Sequence, residues 1–170
     1  MAKGKIYIAY GSNMDFPQME ARCPDAVFLG AGMLKDWRLM FKGSKTGSYA
    51  TIEKDKGLAV PVLLWRISKA DEERLDRYEG FPSFYYKKTI TVADVAAVNA
   101  SWAQKNGKCK GMAYIMHEDR TLGLPSGFYY DVLARAYRLF GFDMAILEEA
   151  LAFSNPKWPD EAHTGKDDAK

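Results

Sequence analysis

The chain is poor in cysteine and histidine, the side chains that bind soft and borderline metals or cross-link a fold: two of each in 170 residues. Cys23 and Cys109 form no CxxC pair and neither lies near a histidine, while His117 and His163 have no ligand spacing with each other or with cysteine. The expectation is no metal and no organic cofactor. The cysteines read as free buried thiols suited to a reducing compartment, with a disulfide between them as the open alternative. An excess of one charge is also missing. Lys and Arg number 24 against 22 Asp and Glu, a net charge of +2. With no basic cluster interleaved with exposed aromatics, that balance excludes a nucleic-acid partner. No apolar run reaches membrane-spanning length, and the apolar part of the N-terminal stretch is too short for a signal peptide, so no membrane association and a cytoplasmic location are expected. There are no internal repeats.

What is present suits one soluble domain. Hydrophobic residues make up 48% and aromatics 14% of the chain, enough for a real core with large aromatic surfaces. Residues 1–154 are expected as a single domain and 155–170, polar and charged with Pro156 and Pro159, as a mobile tail in which Trp158 could dock on the body or on a neighbouring subunit. Apolar or alternating segments rich in Val, Ile, Tyr, Phe and Trp predict strands at 5–10, 26–31, 33–42, 58–67, 84–92 and 109–116. Helical spacing and caps predict helices at 15–22, 69–79, 126–140 and 143–152. Periodicity alone indicates α+β.

Two short segments carry the chemistry. The apolar run Lys5–Ala9 ends in Tyr10-Gly11-Ser12-Asn13-Met14, after which Asp15 can cap a helix with Pro17 in its first turn. Strand, small-residue turn and helix start can aim backbone N–H groups at an anion, although ordinary turns use the same residues. The second segment is Leu75-Asp76-Arg77-Tyr78-Glu79-Gly80-Phe81. Ser68 caps this helix, Asp71, Glu72 and Glu73 fill its first turn, and Gly80 ends it. Glu79 therefore sits where the helix dipole disfavours negative charge, among Tyr78, Phe81, Phe84, Tyr85 and Tyr86. Both conditions raise a carboxyl pKa toward the range of a general base; an exposed Glu at a helix end is the plainer alternative.

Taken in order, these segments resemble the γ-glutamylcyclotransferase (AIG2-like) family: a YGSN loop, an LDxxEG helix end, and an aromatic seven residues after the Glu. Leu34–Phe41 resembles the strand after the first helix, Ala50–Ile52 and Val62–Trp65 the central strands, and Pro125-Ser126-Gly127-Phe128-Tyr129 the Pro-Ser-x-x-Tyr start of a C-terminal helix. The likeness runs from Ile6 to Phe142. It implies a small mixed β-barrel with surrounding helices, and one reaction: release of 5-oxoproline when the free α-amine of a γ-glutamyl compound attacks its own γ-carbonyl, a step of glutathione metabolism. The resemblance assigns the general acid/base to Glu79. It assigns substrate binding to Tyr10, Gly11, Ser12, Asn13 and Met14, with Tyr86 and Tyr129 lining the same cavity and Tyr130 as the competitor of Tyr129. The partner is then a small γ-glutamyl substrate, and the protein a monomer or homodimer.

Three hypotheses follow: a cyclotransferase on a γ-glutamyl amino acid, peptide or amine; the same chemistry on a γ-glutamyl isopeptide or biosynthetic protecting group; and a non-catalytic binding module. Retention of Glu79 beside the loop argues against the third, and rim charge would separate the first two. Two places depart from the family pattern. Pro61 interrupts a strand and predicts an edge or bulge. The segment 93–103 is longer than the expected connection and could be a short extra helix or a surface elaboration.

Overall fold

A computed structural model describes residues 4–44, 46–99 and 106–156. Strand β1 (Lys5–Ala9) leads through a single 3-10 turn (Ser12–Met14) into helix α1 (Phe16–Arg22). Two long strands follow, β2 (Val27–Ser44) and β3 (Gly47–Ile67), then helix α2 (Lys69–Tyr78), strands β4 (Tyr85–Ala97), β5 (Cys109–Met116) and the short β6 (Thr121–Leu122), and helices α3 (Gly127–Phe140) and α4 (Met144–Ser154).

The strands run in the order β3-β1-β5-β4-β2, and β2 pairs back onto β3, which closes a five-stranded barrel; β6 adds to one end of β2. Every seam is antiparallel except β1 on β5, whose register is set at Tyr7 opposite Met112. This is the mixed barrel with helices around it that the resemblance implied. The buried core includes Ile8, Leu34, Phe41, Ile52, Leu64 and Ile115, each at most 1% exposed.

Several expected elements are redrawn. Segments 26–31 and 33–42 are one strand, because Gly30 and Gly32 lie close against β4 instead of breaking the chain: a Cβ on Gly30 would sit 2.2 Å from the Ala96 carbonyl oxygen. β3 begins at Gly47, well before position 58, and it bends with β2 where Asp36 takes a left-handed φ of 66° and accepts from the Gly57 N–H at 2.9 Å. Pro61 lies beyond the β1 ladder, which ends at Leu63, so β2 alone flanks it through Met33; this is the edge position its missing N–H requires. Residues 93–97 are not helical. They continue β4, with Ala93, Ala96 and Ala97 paired to Met33, Ala31 and Gly30. The rest of that segment to Ala103, apart from Val98 and Asn99, lies outside the described residues, as does the tail from 157 onward with Trp158.

The helices are held by local chemistry and by aromatic packing. Phe16 of α1, Phe28 of β2 and Trp65 of β3 pack with centroids 4.9 to 5.4 Å apart, and Phe140 of α3 joins Phe28 at 5.7 Å. Ser154 fastens α4 to the barrel, accepting from the Phe41 N–H at 2.8 Å and donating to the Ala150 carbonyl at 2.7 Å. Both cysteines are buried and free. No helix among the described residues is long and apolar enough to cross a membrane.

Candidate active site

A cavity of about 340 Å³ opens at the barrel end where β1 stops and α2 finishes. Its wall combines the Tyr10–Asn13 loop, the α2 end from Arg77 to Gly80, and the phenols of Tyr7, Tyr49, Tyr85, Tyr114 and Tyr129.

The placement of Glu79 follows from how α2 is tied down. Ser68 Oγ accepts from the Asp71 N–H at 3.0 Å, and the Asp71 carboxylate accepts from the Ser68 N–H, completing a capping box. On its outer side, Lys87 of β4 bridges Glu72 and Asp76, each at 2.8 Å, and Tyr114 Oη of β5 donates to Asp76 at 2.5 Å. The helix therefore cannot rotate without breaking a charged network. Its last amide bond runs from the Glu79 N–H to Leu75 at 2.8 Å, and Gly80 turns the chain away at φ 63°, which favours glycine.

Glu79 is left half-buried against the cavity. Desolvation pushes its pKa up from 4.5 to about 7, with the Arg22 guanidinium opposing the rise. Its charge in turn contributes to raising the phenol pKa values of Tyr7, Tyr10, Tyr85 and Tyr129, although burial is the larger cause at each. A carboxyl poised near neutrality can accept a proton and return it.

Opposite Glu79, the 3-10 turn closes by bonds from the Met14 N–H to Gly11 and from the Asp15 N–H to Ser12. Gly11 matters for space: a Cβ there would lie 3.1 Å from Tyr129 Oη and 3.5 Å from the Ala50 Cβ. Tyr129 Oη accepts from the Ala50 N–H at 3.1 Å, and Tyr85 Oη donates to the Ala50 carbonyl at 2.9 Å. Tyr10 uses its hydroxyl on the Tyr114 carbonyl, so its contribution to the cavity is its ring.

The structure brings Tyr10, Gly11, Ser12, Asn13, Glu79 and Tyr129 to one cavity, and places Tyr130 on another face beside Leu124 and Leu151. Two expected residues are placed elsewhere. Met14 is sealed in the core at 1% exposure. Tyr86 is not on the cavity wall: its hydroxyl donates to the Glu118 carboxylate and its ring lies 5.2 Å from that of His117. Neighbouring strand residues face opposite ways, so Tyr85 takes the wall position and Tyr86 points out. Sequence reasoning also missed Tyr7, Tyr49, Tyr114, Arg77 and Arg22. The tyrosines lie on or beside strands whose inward face could be read by alternation once one cavity residue was known. Three partners of Arg22, namely Ser12, Asn13 and Gln18, lie within ten residues of it in sequence, and the fold adds Tyr78. Among the described residues no group of three or more His, Cys, Asp or Glu is placed to hold a metal ion.

The family model described as gamma-glutamyl cyclotransferase, AIG2-like, matches residues 7–131. The chain belongs to that family. Gamma-glutamylcyclotransferases from Bos taurus and Homo sapiens are 36% and 35% identical to it over 88 residues, 48% of this chain and 47% of each relative. The match thus spans about half the length of those curated relatives. Likeness in three dimensions is broader. A solved gamma-glutamyl cyclotransferase, 25% identical, covers 86% of each chain with a TM-score of 0.72. An uncharacterized human protein, also 25% identical, covers 92% of each chain with a TM-score of 0.73. The family-matched segment contains both the Tyr10–Met14 loop and Glu79, and it ends just after Tyr129.

Proposed function

We propose that the protein is a cyclotransferase that releases 5-oxoproline from a γ-glutamyl amino acid or peptide. The observation that carries this reading is Glu79: a carboxyl with its pKa near 7, at a cavity wall that it shares with the Tyr10–Asn13 loop. The nucleophile is the substrate's own α-amine, so the protein needs no activated serine or cysteine. Intramolecular attack already supplies much of the rate, since well-oriented reactions reach effective molarities of about 10⁵ M or more. An α-ammonium with a pKa of about 8 is mostly protonated at neutral pH and must first be deprotonated.

Glu79 takes that proton, and the freed amine attacks the γ-carbonyl, forming the ring C–N bond. The loop amides, with Ser12 and Asn13, hold the glutamyl carboxylate and place the carbonyl oxygen. As the C–N bond to the leaving group breaks, Glu79 relays the protons lost by the attacking nitrogen to the departing one. The products are 5-oxoproline and a free amine, and no metal or organic cofactor takes part.

Arg77 favours a leaving group that carries a carboxylate. It lines the cavity at its exposed rim, and no ion pair or side-chain hydrogen bond engages its guanidinium among the described residues. Among the described residues Glu79 and Arg77 are the only charged side chains on the cavity wall, so an amino acid or peptide leaving group matches it better than a bare amine.

The test is incubation with a panel of γ-glutamyl amino acids, dipeptides and amines, following 5-oxoproline by mass spectrometry. Product from the wild type and none from Glu79→Gln is the expected result. Normal turnover by Glu79→Gln would refute the base assignment, and absence of product from a folded wild type across the panel would refute the activity. Arg77→Gln should lower kcat/KM for carboxylate-bearing leaving groups by about tenfold, as expected for a lost charged hydrogen bond, and leave amines unchanged.

A further inference from the structure

Arg22 stands where the two halves of the site meet, and the reaction scheme assigns it nothing. It is the last residue of α1 and half-buried. Its Nη1 donates to Ser12 Oγ at 3.0 Å and to Asn13 Oδ1 at 2.6 Å, while Nη2 donates to Gln18 Oε1 one turn back at 2.7 Å. The flat face of the same guanidinium covers the Tyr78 ring, 3.9 Å from its centroid. Tyr78 Oη lies 3.4 Å from Ser12 Oγ and closes a triangle, and Asn13 passes the contact on through Nδ2 to Tyr7 Oη at 2.9 Å.

A cation in the last turn of a helix has an ordinary use, complementing the dipole. That use asks only for charge near the helix end. Here edge and face are both engaged by groups outside α1, which only a planar, five-donor guanidinium can do at once; a lysine ammonium is a point charge without a face. The residues it joins are the substrate loop on one side and, on the other, the tyrosine that immediately precedes the base.

We infer that Arg22 is a positioning residue of this site: by bonding the Ser12–Asn13 turn and stacking on Tyr78, it fixes the spacing between the loop that receives the glutamyl group and the carboxylate of Glu79. The inference rests on the proposed reaction, which supplies the need for that spacing. A second effect is electrostatic. The groups around Glu79 are Tyr7 and Tyr10 at β1, Tyr49 of β3, Tyr85 of β4, Tyr114 of β5, Tyr129 of α3, and Arg77 and Tyr78 of α2 itself. Among the described residues the cations facing Glu79 are Arg22 of α1 and Arg77 of α2. Arg22 opposes the upward push of burial on Glu79.

The experiment compares Arg22→Met and Arg22→Lys with wild type, each checked for folding by circular dichroism. Arg22→Met should lower kcat by on the order of 10- to 100-fold, the scale of a displacement of about 1 Å. It should also move the acid limb of the pH–rate profile upward. Arg22→Lys should return the acid limb toward wild type, because the charge is back, while kcat stays low, because the fork and face are not. A folded Arg22→Met with wild-type kcat, or with an unmoved acid limb, overturns the inference; so does full rescue of kcat by lysine. If Arg22→Met does not fold, Arg22→Lys decides through kcat alone. Carbon-13 NMR titration of the Glu79 carboxyl needs no turnover. Should the wild type release no 5-oxoproline, the reaction fails on that ground, and the titration decides Arg22: a midpoint higher in Arg22→Met supports it and an unchanged one overturns it.

Discussion

A carboxyl whose pKa has been driven from 4.5 to about 7 is held in the cavity at the expense of stability, which is measurable without any substrate. Between those two values the unfolded chain has released a proton that the folded protein still keeps. Stability therefore falls as pH rises through that window, and the loss is complete above about pH 7. At about 1.36 kcal/mol per pKa unit the full effect is on the order of 3 kcal/mol. Glu79→Gln keeps the shape and removes the ionisation. Urea unfolding should find the variant close to wild type near pH 4 and more stable near pH 8; a variant no more stable than wild type near pH 8 would contradict the desolvated base. In the proposed reaction the same group sets the chemistry. kcat/KM should rise through about pH 7 as Glu79 ionises and fall at higher pH as the substrate ammonium is lost, giving a bell. A profile flat from about pH 5 to 8 would remove Glu79 from the proton transfers. Glu79 was legible in sequence because a helix end is a local pattern: cap, acidic first turn, apolar face, glycine stop. Tyr85 against Tyr86 was not, because choosing between them requires knowing which side of β4 faces inward, and one residue of offset reverses the answer. Arg22 lay further out of reach: Ser12, Asn13 and Gln18 are its neighbours in sequence, but its stacking on Tyr78 depends on how α1 packs against α2.

At the scale of elements, the proposed base is only as well placed as α2, and α2 is fastened at both ends by different means. Its N-terminus depends on Ser68, which accepts from the Asp71 N–H and donates to Asp25 Oδ2 at 2.8 Å. Its C-terminal half is held by Lys87 and Tyr114 on Asp76. Ser68→Ala removes the cap and strands the Asp25 contact, which should cost about 1–2 kcal/mol. Thermal denaturation should show Tm lower by about 2–8 °C for a chain of this size, while turnover at 25 °C is kept because the far end still holds Glu79. Loss of turnover without loss of Tm would mean that the helix is not the rigid carrier described. Caps of this kind were readable, and Ser126 and Asp143 likewise start α3 and α4. The strands were less so. Gly30 and Gly32 look like breaks in a one-dimensional pattern, yet they are close approaches of β2 to β4, and Ala93–Ala97 has a composition that suits a helix until strand pairing decides it.

For the molecule as a whole, closure of the barrel is what brings the loop and Glu79 together. β1 carries the loop at its end, and it is the strand that completes the ring, antiparallel to β3 through Lys5–Ala9 and parallel to β5 at Tyr7 opposite Met112. No periodicity announces that closure, since each partner of β1 lies more than fifty residues away in the chain. The parallel seam depends on Gly111. A Cβ there would lie 2.8 Å from Ile8 Cγ1, 3.1 Å from Ile6 Cγ2 and 3.2 Å from the Ile6 carbonyl oxygen. The isoleucine side chains can give slightly, but the carbonyl belongs to the ladder and cannot. Gly111→Ala should therefore be mildly destabilising and Gly111→Val more so, near the upper end of the roughly 1–3 kcal/mol typical of overpacking. Because β5 can make room only by moving off β1, the loop should move too, so Gly111→Val should also raise KM for γ-glutamyl substrates. Gly127→Ala is the control: a Cβ at this first position of α3 meets nothing within 4 Å, and the change should be neutral or stabilising. Urea unfolding of the three variants should rank Gly127→Ala at or above wild type, then Gly111→Ala, then Gly111→Val. A neutral Gly111→Val would show that the seam is not close-packed and that closure of the barrel does not set the loop.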